Sequence, residues 1–534
     1  MRSILLFITA LLTSTVLLAQ TESAVEKLKD YATNIINFNR EYPQEKVYLH
    51  MDNRSYYIGD TIWFKAYVMN ALSLRPTHTS GVLYVELLNE NGVEMEHKKL
   101  RVEDGMCHGE FSLEDSYRTG YYEIRAYTRN MLNFGNEAPA DIENFYMESA
   151  IQEGEDVSGN KAAITTRFEL IDNNRMKEKE KEKTKKKGDG KMYELKRGPI
   201  GKESSQSLIA DYNHTVFSRV FPVYMRPEKP GLYKEEMDFY PMHTHLSFPK
   251  ETEIDIRPDD LQISFFPEGG ALVEGVPSII AFEAIDQWGR KRDIEGYITE
   301  GRDNEITTFK ALSRGRGTFS LRPEKGKRYY AHVTYKGKDY RFELPEAEEV
   351  GYVLRVQPPV ADGNAMFSVL ASQTTPRELL GWTLQCRGAL TAFDTLTVGL
   401  NGNTTVGIPA KRLNAGVNQL TLFNTRGEVL ADRLFFVCPT MQPATLSLSL
   451  LPDKVKPFQK ITLDMNVCDN SYRHTSHGYF SLSVTDADER PDTYDTGDIR
   501  SEMLLSSDLK GFIEDVDSYF RHDSPRAMAA DIDQ

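Results

Sequence analysis

Residues 56–70 read YYIGDTIWFKAYVMN, and the fold follows from how that stretch is parsed. After Asp60 the apolar side chains fall at Ile62, Phe64, Ala66 and Val68, with Thr61, Trp63, Lys65 and Tyr67 between them. Period two is the spacing of a strand with one face turned to a core. Gly59-Asp60 ahead of it is turn chemistry, because glycine accepts backbone angles that side chains resist. The stretch is therefore a turn feeding a strand, with Tyr57, Gly59, Asp60 and Trp63 as its signature residues and no catalytic role implied.

Outward from this strand the same signal recurs. KVYLHMD (46–52), GVLYVELLN (81–89), GEFSLED (109–115) and TGYYEIRAYT (119–128) are short alternating runs separated by turn residues such as 89–92 and 118–120. That spacing predicts an antiparallel sandwich over 45–150. TVFSRVFPVYM (215–225) reads as a last strand returning to a sheet. Strands are expected at 262–266, 278–284, 294–299, 317–321 and 329–334, forming a second sandwich over 259–348. YVLRVQ, AMFSVLAS, GWTLQCRG, DTLTVGLN, NQLTLFN and RLFFV predict a third over 349–440. LSLSLLPDKVKPFQKITLDMNV (446–467) and GYFSLSVTDA (478–487) open a partial fourth within 441–534. It ends in a helical tail whose apolar face is Leu505, Leu509, Phe512, Ile513, Val516 and Phe520, capped by Ser506, Ser507 or Asp508. The chain stops at AMAADIDQ (527–534) without a closing strand, so a truncated module is the expectation.

The fold class is thus mainly β: tandem immunoglobulin-like antiparallel β-sandwiches with a short N-terminal helix and a helical C-terminal tail. A length of 534 residues agrees, since roughly 100–150 residues per domain implies about four. With 40% hydrophobic and 27% charged residues the chain is too polar for a membrane bundle. A formal net charge of −15 lacks the basic footprint of a nucleic-acid binder.

MRSILLFITALLTSTVLLAQ (1–20) has one basic residue, an apolar run from Ile4 to Leu18 and a small residue at Ala19. This is the pattern of a secretory signal peptide cut at Ala19–Gln20, and the run is short for a bilayer span of about 20 apolar residues. The expected location is the periplasm or the periplasmic face of an outer membrane, with membrane association only indirect. In the lead-in, 20–44, Val25, Leu28, Tyr31, Ile35 and Ile36 predict an amphipathic helix over 22–38. The segment 151–258 is irregular and contains KEKEKEKTKKKGDGK (177–191), a charged low-complexity insertion that cannot bury a core.

Four cysteines at 107, 386, 438 and 468 form no CxxC pair. Export permits disulfides, so Cys386 and Cys438, in one predicted module, are either a bridge or two buried thiols.

EKVYLHMDNRSYYIGDTIWFKAYV (45–68), SGVLYVELLNENG (80–92) and TGYYEIRAYT together resemble the second macroglobulin domain (MG2) of the α2-macroglobulin superfamily. Ile58 stands where many members carry proline. More widely, FFPEGGALVEG (265–275), GVNQLTLFNTRGEVLADRLFFV (416–437) and SLSVTDAD (481–488) with LLSSDLKGFIEDVDSYF (504–520) are similar to large Bacteroidetes cell-envelope proteins. Relatives of that kind often continue into a TonB-dependent-receptor plug-like domain. The resemblance implies a non-enzymatic envelope protein using its sandwiches as binding or spacer modules for a protein partner, an outer-membrane receptor or a protease. The superfamily's thioester, Cys-Gly-Glu-Gln, is excluded, because no cysteine here is followed by Glu-Gln two residues on. An endopeptidase inhibitor without thioester chemistry is the alternative, with 177–210 as its bait. A glycan-active enzyme is a third reading, requiring two carboxylates about 5–10 Å apart across a cleft.

Other chemistry is weakly signalled. His243 and His245 in MHTHLSF, and His474 and His477 in HTSHGYF, have metal-like spacing but no further ligand set. TDADERPDTYDTGD (485–498) is acidic without EF-hand spacing. GRGTFSLR (315–322) precedes a strand rather than the helix a phosphate cradle uses, and is expected to be a hairpin turn. No GxSxG, Walker or HExxH motif occurs. No catalytic residue, metal or cofactor is therefore expected.

Overall fold

A computed structural model of the chain describes residues 2–89, 94–134, 216–226, 261–286, 291–301, 304–312, 314–359, 363–439, 445–451, 456, 458–468, 478–485, 497–509, 513 and 515–521. The architecture is mainly β. Apart from two-residue parallel pairings (56–57 with 223–224, and 272–273 with 347–348), every ladder among the described residues is antiparallel.

The first sandwich pairs β1 (Glu45–Met51), β3 (Thr61–Asn70) and β6 (Met106–Ser112) in the order β1-β3-β6. Against it lies a five-stranded sheet of β2 (Tyr56–Tyr57), β4 (Val82–Leu88), β5 (Glu94–Arg101), β7 (Gly120–Tyr127) and β8 (Phe217–Tyr224), ordered β2-β8-β7-β4-β5. Ile62, Phe64, Ala66 and Val68 all face the interior, packed with Leu83, Val85, Phe111, Ile124 and Phe221. Trp63, at an alternate position, is 54% exposed. β8 arrives from more than eighty residues downstream of β7, so the first core closes only after the long excursion.

The second sandwich sets β9 (Leu261–Pro267), β11 (Ser278–Asp286) and β14 (Arg316–Leu321) against β12 (Glu295–Glu300), β13 (Asn304–Lys310), β15 (Tyr329–Tyr335) and β16 (Lys338–Glu343). β10 (Leu272–Val273) and β17 (Ala347–Glu348) lie at its end. Its center is a ring cluster in which Phe282 contacts Phe309 at 5.0 Å and Phe319 at 6.4 Å. Full burial of one such side chain contributes about 1.5–3 kcal/mol.

The third sandwich sets β18 (Tyr352–Gln357), β19 (Ala365–Ala371) and β22 (Asn403–Ile408) against β20 (Leu379–Cys386), β21 (Ala389–Thr397), β23 (Gly416–Phe423) and β24 (Val429–Val437). Beyond it, β25 (Thr445–Leu451) and β26 (Thr462–Cys468) form a two-stranded hairpin.

The N-terminal helix is longer than the expected 22–38: α1 spans Arg2–Glu41 without interruption. It covers the outer face of β20 and β21. Leu28 and Ala32 are buried, and Tyr31 meets Phe423 edge-on at 5.9 Å. Gly381 is what lets Phe423 lie there, since a Cβ at 381 would sit 2.6 Å from its ring. No helix among the described residues is long and apolar enough to cross a membrane.

The expected helical tail is not one helix. Six residues, α2 (Ile499–Leu504), are followed by 3-10 turns at Ser506–Asp508 and Val516–Phe520. Asp498, rather than Ser506, Ser507 or Asp508, is the N-cap, in a reciprocal capping box with Ser501. The helix ends where Leu505 leaves helical angles (φ −135°), and Asp508 is drawn to Lys46 of β1. Tertiary pairing thus overrides an apolar periodicity that suited a helix.

Candidate functional site

The stretch 56–60 joins the two sheets of the first sandwich. Tyr56 and Tyr57 pair with β8, while Gly59 donates to the Leu113 carbonyl (2.7 Å) and Leu113 donates back to that of Asp60 (2.8 Å). Gly59 holds φ +88°, where a side chain is strained. The Asp60 carboxylate accepts from the Tyr57 amide at 2.8 Å and pairs with Arg226. Tyr56 is buried against Phe221, and its hydroxyl donates to Asp52 at 2.8 Å. Every one of these groups fixes backbone, as a strand-entry turn requires.

The densest charged cluster lies across the five-stranded sheet. Glu86 on β4 stands in register between Arg125 on β7 and His97 on β5. Both Nε (3.0 Å) and Nη2 of Arg125 donate to Glu86 Oε2, and the Tyr127 hydroxyl donates to Oε1 at 2.6 Å. His97 Nδ1 is 3.7 Å from Glu86 Oε1 and 3.9 Å from Glu94 Oε1. Tyr84 stacks on Tyr127 at 5.6 Å, with Lys99 and Arg129 over its ring. Burial works to raise the Glu86 carboxyl. The Arg125 charge, the neighbouring His97 ring and the hydrogen bonds from Tyr127 and Arg125 outweigh it and hold the group well below the usual carboxylate range. Next to it, Glu123 is pushed up by burial, against the pull of Arg125 and a hydrogen bond from Ser218. Sequence reading missed this cluster because its members lie on three strands. The available clue was one carboxylate inside the apolar run VLYVELL.

FFPEGG forms the joint between the second and third sandwiches. The Glu268 side chain, 8% exposed, lies 3.6 Å from Arg355 on β18 and 3.8 Å from Arg433 on β24. Burial raises its carboxyl, and the two arginines only partly offset that. Gly269 has φ +87°, and a Cβ there would meet the Leu354 amide nitrogen at 2.7 Å. Gly269→Ala is expected to cost about 1–3 kcal/mol, read as a lower thermal midpoint with the first sandwich's own transition unchanged.

The described residues of 497–521 bind all three sandwiches. Toward the first, Lys46 Nζ donates to Asp508 (2.7 Å), the Met503 carbonyl (3.1 Å) and Ser507 (2.8 Å). Arg219, which lies over the Tyr48 and Phe217 rings, donates to the Gly497 carbonyl at 3.3 Å. Toward the second, Arg314 donates to Asp515 (3.2 Å) and Ser518 (2.6 Å), and Arg316 to the Tyr519 hydroxyl (3.3 Å). Toward the third, Leu504, Leu505, Val516, Tyr519 and Phe520 pack on Val417, Phe436 and Cys438. At the tip of the β20–β21 hairpin, Arg387 donates to Ala415 and Leu72 carbonyls, joining the third sandwich to the first.

Of the residues singled out in the sequence, Ala19 and Gln20 lie within α1. His243, His245, His474, His477, Phe512, the insertion 177–191 with the rest of 177–210, and most of 485–498 fall outside the described residues. Gly315 in GRGTFSLR does form a turn (φ +70°), but not a hairpin: it carries the chain from β13 in one sheet to β14 in the other.

None of the four cysteines is in a disulfide. Cys386 ends β20 and Cys438 follows β24, with β23 between those strands. Two ladder spacings of about 4.8 Å exceed the roughly 7 Å Cα separation a bridge tolerates. Burial pushes the Cys107 thiol up to about 12 and Cys386 up to about 11. At pH 8 the native protein is therefore expected to alkylate first at half-exposed Cys468, and at Cys107, Cys386 and Cys438 only once unfolded. Mass mapping reads the result, and a Cys386–Cys438 peptide would contradict it.

No family model matches the chain, and no curated protein matches it. Among solved structures it is similar to Escherichia coli α2-macroglobulin in its native conformation, at 11% identity and TM-score 0.17, covering 80% of this chain and 25% of that one. It is similar to dimeric latent PorU from Porphyromonas gingivalis at 11% identity and TM-score 0.26, covering 74% and 34%. Invasin, a bacterial integrin-binding protein, is similar at 14% identity and TM-score 0.17, covering 41% and 48%. The chain spans only a quarter to a third of the macroglobulin structures it matches.

Proposed function

We propose that the chain is an exported, non-enzymatic protein of the cell envelope. Its macroglobulin-like sandwiches serve as a binding and spacing scaffold for a protein partner, an outer-membrane receptor of the TonB-linked kind. The observation that carries this reading is where buried charge is committed. Lys46, Arg219, Glu268 and Arg387 each close a joint between sandwiches or hold the 497–521 segment across them. Such joints suit a scaffold that presents surfaces at set spacing.

In-cell crosslinking of the tagged chain, followed by mass spectrometry of the captured envelope proteins, tests the proposal. Recovery of an outer-membrane receptor or its accessory proteins supports it. Recovery of proteases, with cuts confined to 177–210, replaces it with the inhibitor reading, and saturable turnover of a peptide, ester or glycan overturns the non-enzymatic assignment.

A further inference from the structure

We propose that Glu86, Glu94 and His97 form a divalent-cation site of the zinc class on the β4–β5 hairpin. The first argument is the backbone. In a regular strand, residues 94 and 97 would point to opposite faces. Here the register runs Glu86 with His97, Leu87 with Glu96, then Leu88 with Glu94, so Met95 is an extra, bulged residue. The bulge returns Glu94 to the face that carries Glu86 and His97. Re-aiming a side chain in this way is a recurrent use of bulges at functional positions.

The second argument is distance. The three ligand atoms all lie within 4.8 Å of one another, with His97 Nδ1 3.7 Å from one carboxylate oxygen and 3.9 Å from the other. Those separations are too long for hydrogen bonds. Zinc bonds of about 2.0–2.2 Å in a tetrahedron set ligand atoms roughly 3.3–3.6 Å apart, so each carboxylate needs to close on His97 by only a few tenths of an ångström to seat the ion.

The third argument is the surrounding shell. Arg125 occupies Oε2 of Glu86 and Tyr127 takes one lone pair of Oε1, leaving the other lone pair of Oε1 for a metal. Both partners fix the carboxylate, as outer-shell groups do in metal centers. Glu86 and Glu123 face the Arg125 guanidinium, Glu94 lies beside His97, and Lys99 and Arg129 are held over Tyr84, so a dication meets three carboxylates against the one guanidinium, which is bonded to Glu86. Three protein ligands leave a fourth position for water. A bound ion would pin β5, the edge strand, to β4.

The test uses the full chain, stripped with chelator, and zinc chloride alone. Calorimetric titration is expected to show one saturable equivalent and a raised thermal midpoint, and cobalt in place of zinc should give the visible bands of a tetrahedral ion. His97→Gln and Glu94→Gln should each weaken binding by more than the roughly ten- to hundredfold that loss of an outer-shell partner costs. Glu96→Gln, adjacent on the bulge but on the opposite face, should leave it unchanged. Unaltered metal-free thermal midpoints show that the variants fold. No saturable binding overturns the proposal. Undiminished binding in both the His97 and Glu94 variants also overturns it, by placing the ion elsewhere on the chain.

Discussion

Replacing Lys46 with methionine is expected to free residues 497–521 from the first sandwich. Among the described residues, Lys46 Nζ is the one cation bonded to Asp508, whose carboxylate is 13% exposed and whose Oδ2 is buried without a hydrogen-bond partner. Removing one member of a buried pair leaves the other charged and desolvated, at a cost of about 3–5 kcal/mol. Methionine refills most of the volume, so the loss is electrostatic rather than a cavity. At about 1.4 kcal/mol per decade, the open population of the segment rises by at least a hundredfold. Hydrogen exchange of the amides of 499–505 and 516–520 reads this directly, with the β3 and β11 amides as unchanged references. The double variant Lys46→Met, Asp508→Leu should restore most of the protection, because an apolar pair replaces an ion pair at little or no cost. Unaltered protection in the single variant would mean that the apolar contacts alone hold the segment.

Arg125→Ala should have the second large effect, again about 3–5 kcal/mol, because it strands the Glu86 carboxylate beneath Tyr127 and His97. Its pH dependence carries the sign. In the parent protein Glu86 titrates lower folded than unfolded. Its contribution is therefore present above the unfolded value of about 4.3 and is lost as pH falls through the folded one. Without Arg125, only Tyr127 and His97 oppose the burial of Glu86, and its carboxyl rises. The carboxyl then destabilises the fold at neutral pH and ceases to do so as it protonates. Glu123, already raised by burial and relieved in part by Arg125, moves the same way. The stability gap between parent and variant should therefore be widest near pH 7 and narrow toward pH 4, in urea unfolding with chelator present. A gap that does not change with pH would assign the cost of the substitution to lost packing.

The strands missed in the sequence share one property. β5, β13, β16 and β22 all lie at sheet edges. Their sequences, EMEHKKLR, NEITTFK, KDYRFE and NTTVGI, are mostly charged or threonine-rich, and nearly all of their residues are partly or fully exposed. Edge strands are blunted with such residues to resist pairing with other chains, which removes the apolar alternation that reveals inner strands. β3 and β11, paired on both sides, alternate so regularly that Ile62, Phe64 and Ala66, and Ile280, Phe282 and Ala284, were legible without a structure.

By itself the sequence determined the mainly β class and the inward faces of the inner strands. Period two and turn residues are local, and each is set within a few residues. Where α1 docks, that LLSSDLKGFIEDVDSYF breaks into turns to reach Lys46 and Arg314, and that Glu86 meets Arg125 and His97 were decided only by tertiary structure. Those contacts join residues tens to hundreds of positions apart. Their free energy comes from removing paired charges and apolar faces from water together, and no single stretch of sequence carries the partner it will meet.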